Sequence, residues 1–306
     1  MGTDGASTVT AAAAPERGID GSRLVGAAWV AASATGFGAL GVLGKVAFAS
    51  GASTAAVLFL RFLIAGALMS LVMGGARLPW PRGRDLVILV AMGGIGYVGQ
   101  AFCYFSALRH ASAGLTALLL YLYPAFVTLA AAALGRQRLT PLKAGAVAAA
   151  MAGIMLTVSD GLSGTPAGIA FGAGAAVIYT GYILVGEQVS RRTGVIPAAT
   201  VIMLAAAAVF GAALLLEGGN WPESPVGWGA VAGIAILATV VPMVGFFAGM
   251  QRLGATDAAT LSTLEPVVTL LLAAIFLGET LGKVELAGAS LVLGAVVALA
   301  RSGSRD

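Results

Sequence analysis

Ten apolar runs, each close to the length of a bilayer-spanning helix, leave this chain little choice of fold. They fall at 24–48, 54–73, 85–108, 113–134, 141–158, 166–186, 197–216, 226–250, 258–277 and 284–300. A bilayer core about 30 Å thick needs about 20 residues of helix. Backbone groups in hydrocarbon must be satisfied internally, which leaves helices and closed barrels. The runs are continuous rather than alternating, so helix is expected over barrel strand. Composition agrees: 10% of residues are charged, against about 25% in soluble domains. A water-soluble enzyme of ordinary type is excluded, as is a disordered chain. The 44 Gly follow no triplet period, which excludes collagen. The expected fold is an all-α integral membrane protein with ten transmembrane helices. Residues 1–23, rich in Ala, Thr and Gly with Pro15, are expected to form a disordered cytoplasmic tail. The first run is too long for a signal-peptide core and lacks a clear cleavage motif, so no removed leader is expected.

The basic residues orient the spans. With the N-terminus in the cytoplasm, Arg17, Arg23, Arg77, Arg82, Arg84, Arg136, Arg138, Lys143, Arg191, Arg192, Arg252, Arg301 and Arg305 lie inside. Only Lys45, Arg109 and Lys283 lie outside, and Arg61 sits within a span. Cytoplasmic loops carry the excess of Lys and Arg, so both termini are expected in the cytoplasm of a bacterial inner membrane. The net charge of +4 therefore reads as topology. Scattered in short pairs, the basic residues point to no nucleic-acid partner. One cysteine, Cys103, allows no intrachain disulfide, and with the single histidine, His110, leaves no room for a His/Cys zinc site. The nearest string to a phosphate-binding loop, GALGVLGKV, lacks a Ser or Thr after Lys45. There is no HExxH, GxSxG or acid–histidine pair. No cofactor, no metal, no ATPase subunit and no enzymatic activity are expected; the partners are a small-molecule substrate and the lipid bilayer. The GxxxG pairs Gly168/Gly172, Gly229/Gly233 and Gly245/Gly249 let helices approach closely and are assigned to packing within a monomer.

The two halves resemble each other at an offset of about 142 residues. Pro124 in YLYPAFVTL sits over Pro266 in TLEPVVTLL, Gly44-Lys45 over Gly186-Glu187, and Gln137 over Glu279. Five spans per half is an odd number, so the second half enters the membrane from the opposite side, a construction found in many secondary transporters. Two five-span repeats, each with a Pro-centred span, a turn like that in LGETL and a Gly-rich last span, resemble the EamA family of the drug/metabolite transporter superfamily. RFLIAGAL with Arg61 resembles it too. The resemblance covers 24–158 as the first repeat and 166–300 as the second, inverted one. The first repeat departs at Arg136-Gln137-Arg138, where a Glu is usual. The resemblance implies a ten-helix transporter with a cavity lined by spans 1–4 and 6–9 and with spans 5 and 10 peripheral. It also implies export of amino acids or other small metabolites, as in the aromatic amino acid exporters of the superfamily.

Candidate binding residues come from polar and aromatic stripes. Tyr97, Gln100 and Tyr104 fall at i, i+3 and i+7 of the third span and share one helix face. Their repeat-related positions are Thr239, Pro242 and Phe246; Tyr179 and Tyr182 on the sixth span relate to Phe37 and Leu40 on the first. Apolar walls with a few hydrogen-bonding groups make a small-ligand pocket. Pro124 and Pro266 each remove an N–H and free a carbonyl; with Pro242 they are candidate gating positions. Tyr121 and Tyr123 precede Pro124, and Thr263 and Glu265 precede Pro266. Glu265 and Arg61 are the two deep ionisable residues, each costing about 2.5–3.5 kcal/mol or more at the bilayer centre. Arg61 is about 10 Å from the outer end of its span by helix rise, within reach of it, so its depth is less demanding. Glu265 is expected either to pair with a substrate ammonium, to carry a proton, or to be held structurally by a hydroxyl or by Arg61.

The expected function is a secondary transporter that exports amino acids or related metabolites by alternating access, with a broad drug/metabolite carrier as the alternative. An intramembrane lipid-modifying enzyme lacks a visible nucleophile and base. The orientation makes a direct prediction in a Cys103→Ala background. Single cysteines at Ser163 and Ser224 label from outside intact cells, whereas Ser302→Cys labels only after permeabilisation; external labelling at Ser302→Cys overturns the orientation.

Overall fold

The computed structural model describes residues 21–135, 138–159, 164–253, 258, 261–262, 264–280 and 282–302. Among them the chain is helical and has no strand, only an isolated bridge between Ala111 and Gly164. The elements are α1 (Gly21–Gly38), α2 (Leu40–Ala49), α3 (Thr54–Gly75), α4 (Gly83–Ala91), a π-helical stretch (Met92–Tyr97), α5 (Val98–His110), α6 (Ala113–Leu120), α7 (Tyr123–Ala133) and α8 (Pro141–Ser159). Then follow α9 (Pro166–Thr193), α10 (Val195–Glu217), α11 (Pro225–Ala235), a second π-helical stretch (Ile236–Val240), α12 (Val241–Leu253), α13 (Leu264–Leu277) and α14 (Lys283–Ser302). Helix α1 starts at Gly21, so the last three residues of the expected tail are helical; the rest of the tail lies outside the described residues.

Seven helical segments are long and apolar enough to cross a membrane: Leu24–Ala49, Thr54–Gly75, Gly83–His110, Ala113–Ala133, Pro166–Gly186, Val195–Glu217 and Pro225–Leu253. The other three expected windows hold the shorter apolar helices Pro141–Leu156, Leu264–Leu277 and Leu286–Leu299. Large apolar side chains such as Leu71, Ile95, Leu215, Leu216 and Phe276 stand exposed on the outside. In water such a surface is an aggregation hazard; in hydrocarbon it is the ordinary solvent-facing surface.

Helix starts use side-chain caps where the first turn has unpaired N–H groups. Ser53 accepts from Ala56 N at 3.2 Å, Ser112 from Leu115 N at 3.1 Å and Ser224 from Gly227 N at 3.2 Å. Glu279, after α13, reaches across to the start of α6 and accepts from Ala113 N at 2.7 Å and Gly114 N at 3.1 Å. The turn after α2 is tied to the turn after α10: Ser53 N donates to Asn220 O and Glu223 N to Ser50 O, each at 2.9 Å. Lys45, counted above among the outside charges, donates from Nζ to Ala111 O at 2.6 Å. The Glu279, Ser53 and Glu223 bonds join the two halves of the sequence, and the Lys45 bond ties the first half to itself beside them.

Packing follows a reciprocal pattern. Helix α1 packs chiefly on α12 and α5 on α9, while α3 packs on α10 and α8 on α14. Shifting by the repeat offset of about 142 residues exchanges the first two pairs and maps the last two onto themselves. The α1–α12 contact is a small-residue seam, as membrane helices require when no hydrophobic effect drives them together. Ser33 donates to the Pro242 carbonyl at 2.7 Å across it. A Cβ on Gly249 would fall 2.7 Å from the Gly26 carbonyl, whereas one on exposed Gly229 would meet nothing within 4 Å. Gly249→Val is therefore expected to cost about 1–3 kcal/mol by overpacking and to lower the Tm of the purified protein, while Gly229→Val leaves it near the parent. Equal melting temperatures for the two variants would contradict this seam.

Candidate functional site

Four interruptions of regular helix surround the centre of the bundle. The first span breaks at Ala39, between α1 and α2, where Ala39 N reaches Thr35 O at 3.1 Å and Gly36 O at 3.2 Å. The third and eighth spans each carry a π-helical stretch, a feature frequent at functional sites. In the eighth span the stretch runs straight into Pro242, whose missing N–H breaks the α-helical ladder. In the third span it is the Gly-rich MGGIGY, in which a Cβ on Gly93 would strike the Ile202 backbone of α10. The fourth span breaks at Tyr121–Leu122, with Leu122 N turning back to Leu119 O at 3.2 Å. Pro124 then enters the first turn of α7, where its absent donor is tolerated.

These interruptions shape a cavity of about 120 Å³. Phe37 and Leu40 face it from either side of the Ala39 break, Arg61 from α3, and Tyr97, Gln100, Ala101 and Tyr104 from the third span. Leu120, Tyr121 and Tyr123 line it from the broken fourth span, Tyr179 from α9 and Glu265 from α13. The break matters for Tyr121 and Tyr123: residues two apart on a regular helix point away from each other, yet both reach the cavity. The chain has six tyrosines; five line this cavity, and the sixth, Tyr182, stacks on two of them. Ring centroids run Tyr121–Tyr123 at 6.0 Å, Tyr123–Tyr179 at 4.9 Å, Tyr179–Tyr182 at 5.8 Å and Tyr182–Tyr97 at 5.6 Å. Membrane proteins usually place tyrosine at the two interfaces; here the residue is gathered around one internal space.

The polar chemistry of the cavity rests on two ionisable side chains, Arg61 and Glu265, that form no ion pair with each other. Arg61 is 4% exposed. Its Nε donates to Thr239 Oγ1 at 3.0 Å and its Nη2 to Tyr97 Oη at 3.5 Å, and its guanidinium lies 5.1 Å from the Phe62 ring centroid. Nη1 has no hydrogen-bond partner and Arg61 no ion-pair partner among the described residues. Glu265 accepts from Tyr121 Oη through Oε2 at 2.8 Å, with Ser262 O 3.1 Å from the same hydroxyl. Its Oε1 is unpartnered among the described residues. The Gln100 amide and the hydroxyls of Tyr104, Tyr123 and Tyr179 likewise make no hydrogen bond with described residues, although all four side chains line the cavity. Buried polar groups are nearly always paired, so this convergence describes a site shaped for a polar guest or water.

The remaining sequence candidates are placed differently. Thr239, 1% exposed, sits behind the cavity wall: it receives Arg61 Nε and donates to the Ile234 carbonyl at 2.8 Å. Tyr182 lines a neighbouring apolar chamber rather than the central cavity. Phe246 is not a lining residue, and Thr263 lies outside the described residues. Pro242 accepts from Ser33 through its carbonyl, and Pro266 is buried in the first turn of α13. Arg61 does not use its reach toward the outer end of the span: it is buried and held by Thr239 and Tyr97. Leu40, Ala101 and Leu120 complete the wall unflagged, because apolar wall residues carry no sequence signal that separates them from packing.

Comparison with known proteins follows the same division of the chain. The model of the EamA-like transporter family matches residues 24–159 and again 166–301. The chain is 31% identical to the uncharacterised transporter YcbK of Bacillus subtilis (strain 168) over 80% of its length and 82% of that protein's. It is 31% identical to the aromatic amino acid exporter YddG of Ancylobacter novellus over 72% of its length and 77% of that protein's. A shorter match, 33% identical over 43% of each chain, is to the threonine/homoserine exporter RhtA of Escherichia coli (strain K12). One crystal structure, 23% identical, covers 94% of this chain and all of its own with a TM-score of 0.62, a likeness of fold. With both family matches and its membrane-length helices, the chain belongs to the EamA-like transporter family as a multi-pass membrane protein.

Proposed function

We propose that this protein is a secondary transporter that exports amino acids, aromatic ones among them, or related small metabolites across the bacterial inner membrane. The observation that carries the reading is that Arg61 and Glu265 line one aromatic-walled cavity without pairing with each other. A free amino acid presents a carboxylate and an ammonium at fixed separation. The carboxylate takes the open Nη1 of Arg61, and the ammonium takes Oε1 of Glu265. Gln100 and the free tyrosine hydroxyls accept or donate the remaining hydrogen bonds. Each hydrogen bond to a charged group contributes about 1.5–3 kcal/mol net. The names of the relatives RhtA and YddG, both amino acid exporters, support the same substrate class.

Movement across the membrane is proposed to follow alternating access between two inverted five-helix repeats, 24–158 and 166–300, with ten transmembrane helices in all. Support comes from the reciprocal pairing of helices and from helix bounds that recur at the repeat offset. In this scheme Pro124, Pro242 and Pro266 mark the segments that rearrange, since each adjoins an interruption or the start of a helix around the cavity. The protein acts as a monomer with both termini cytoplasmic, and the membrane and its solute are its partners.

Proteoliposomes offered labelled amino acids, with and without a pH gradient, provide the test. Uptake is expected for an aromatic or small neutral amino acid, and removing either charge from the solute, as the amine or as the deaminated acid, weakens uptake by about 10–100-fold, the worth of one such contact. Glu265→Gln narrows the gap between the amino acid and its deaminated acid; Arg61→Gln narrows the gap between the amino acid and its amine. Tyr97→Ala and Gln100→Ala impair uptake of most solutes while the protein stays folded and inserted. Equal uptake of the amino acid and both charge-deleted analogues rejects the reading, and uptake of bulky organic cations with no amino acid uptake favours the broad carrier.

A further inference from the structure

The central cavity, about 120 Å³, is lined mainly by polar and aromatic side chains suited to a solute's charged head. A second, larger chamber of about 270 Å³ adjoins it, walled by Leu89, Met92, Ile183, Ala198, Ile202 and Met243 together with Tyr182. The two spaces share a wall. Tyr97 lines the central cavity, Tyr182 lines the chamber, and their rings stack at 5.6 Å with an interplanar angle of 28°. One π-helical stretch, Met92–Tyr97, contributes its first residue to the chamber and its last to the cavity.

We propose that this chamber is the side-chain subsite for large apolar and aromatic solutes, and that the Tyr97–Tyr182 stack is a parting wall between it and the head-group cavity, latched by Arg61. This rests on the head-group assignment made above for Arg61 and Glu265. The chamber wall offers no charged side chain, so it takes an uncharged, apolar group while the charged head stays in the central cavity. The latch is the bond from Arg61 Nη2 to Tyr97 Oη, which at 3.5 Å is long for a hydrogen bond. A solute carboxylate brings a full negative charge and can take two guanidinium N–H groups at once, neither of which a neutral hydroxyl offers. Head-group binding therefore draws Arg61 from Tyr97 and frees the ring to part from Tyr182. Arg61 remains anchored through Nε to Thr239, in the second π-helical stretch, so the pull on one stretch is referred to the other.

Two measurements test this, both in a Cys103→Ala background. The first needs no transport. Met243→Cys in the chamber and Leu40→Cys in the cavity are exposed to a membrane-impermeant thiol reagent, in inside-out and right-side-out vesicles. From the face where Met243→Cys reacts, Leu40→Cys is expected to react about tenfold more slowly, a barrier that Tyr182→Ala abolishes and Tyr182→Phe keeps. The second is selectivity: Ala198→Phe, which fills the chamber, lowers phenylalanine uptake relative to alanine uptake by about tenfold, with Ile202→Trp as a second filling variant should the first misfold. The proposal is overturned if Met243→Cys reacts from neither face, if Tyr182→Ala leaves the labelling ratio unchanged, or if folded filling variants keep the parent's selectivity. Labelling as expected without uptake of any amino acid rejects the substrate assignment and leaves the parting wall standing. Amino acid uptake with unmoved labelling and selectivity rejects the wall and leaves the substrate assignment.

Discussion

A guanidinium and a carboxylate share one membrane-embedded cavity without forming an ion pair, and the rest of the site is arranged around that fact. Charges in a bilayer cost several kcal/mol each unless paired or hydrogen-bonded. The least costly arrangement would bring Arg61 and Glu265 together. The protein instead supports them separately: Arg61 by a hydroxyl, a phenol and the faces of Phe62 and Phe105, and Glu265 by Tyr121. Among the described residues, Arg61 Nη1 and Glu265 Oε1 have no hydrogen-bond partner. That leaves room in the cavity for a guest carrying complementary groups, which is how a binding site differs from a structural salt bridge.

Holding those groups apart requires departures from regular helix. A straight fourth span would send Tyr121 and Tyr123 in different directions; the break before Pro124 lets both face the cavity. A regular eighth span would carry no local reason to aim Thr239 at α3, whereas the π-helical stretch ahead of Pro242 places its hydroxyl on Arg61 Nε. Gly38, at the break in the first span, lets α1 approach α13 so closely that a Cβ there would fall 2.9 Å from the Glu265 carbonyl. Each π-helical stretch turns one side to the protein interior, where Met92, Gly93 and Thr239 are buried, while Ile95 and Leu237 on the same stretches face outward.

Periodicity is local, and what it reports was legible in the sequence. Hydrocarbon-length apolar runs gave the membrane architecture, and the i, i+3, i+7 spacing of Tyr97, Gln100 and Tyr104 placed all three on one face of one cavity. Pro124 marked a break that the structure has. The failures are tertiary. Helix rise gave a depth for Arg61 but not a neighbour, and Thr239, 178 positions away in the chain, turns it inward. The position related to Arg61 by the repeat holds the apolar Met203, an asymmetry that adds to the sign already given by an ionisable residue deep in a span. Tyr182 shares a helical face with Tyr179, yet one turn along α9 is enough to carry it into a different space. Lys45 looked like an end-of-span charge; only the fold brings the Ala111 carbonyl to it.

The position of a bound solute tests the central claim most directly. A structure determined with an aromatic amino acid at saturating concentration should show its carboxylate on Arg61, its ammonium on Glu265 and its ring beyond a parted Tyr97–Tyr182 pair. A solute bound outside this cavity, or one seated within it while touching neither Arg61 nor Glu265, would contradict the account.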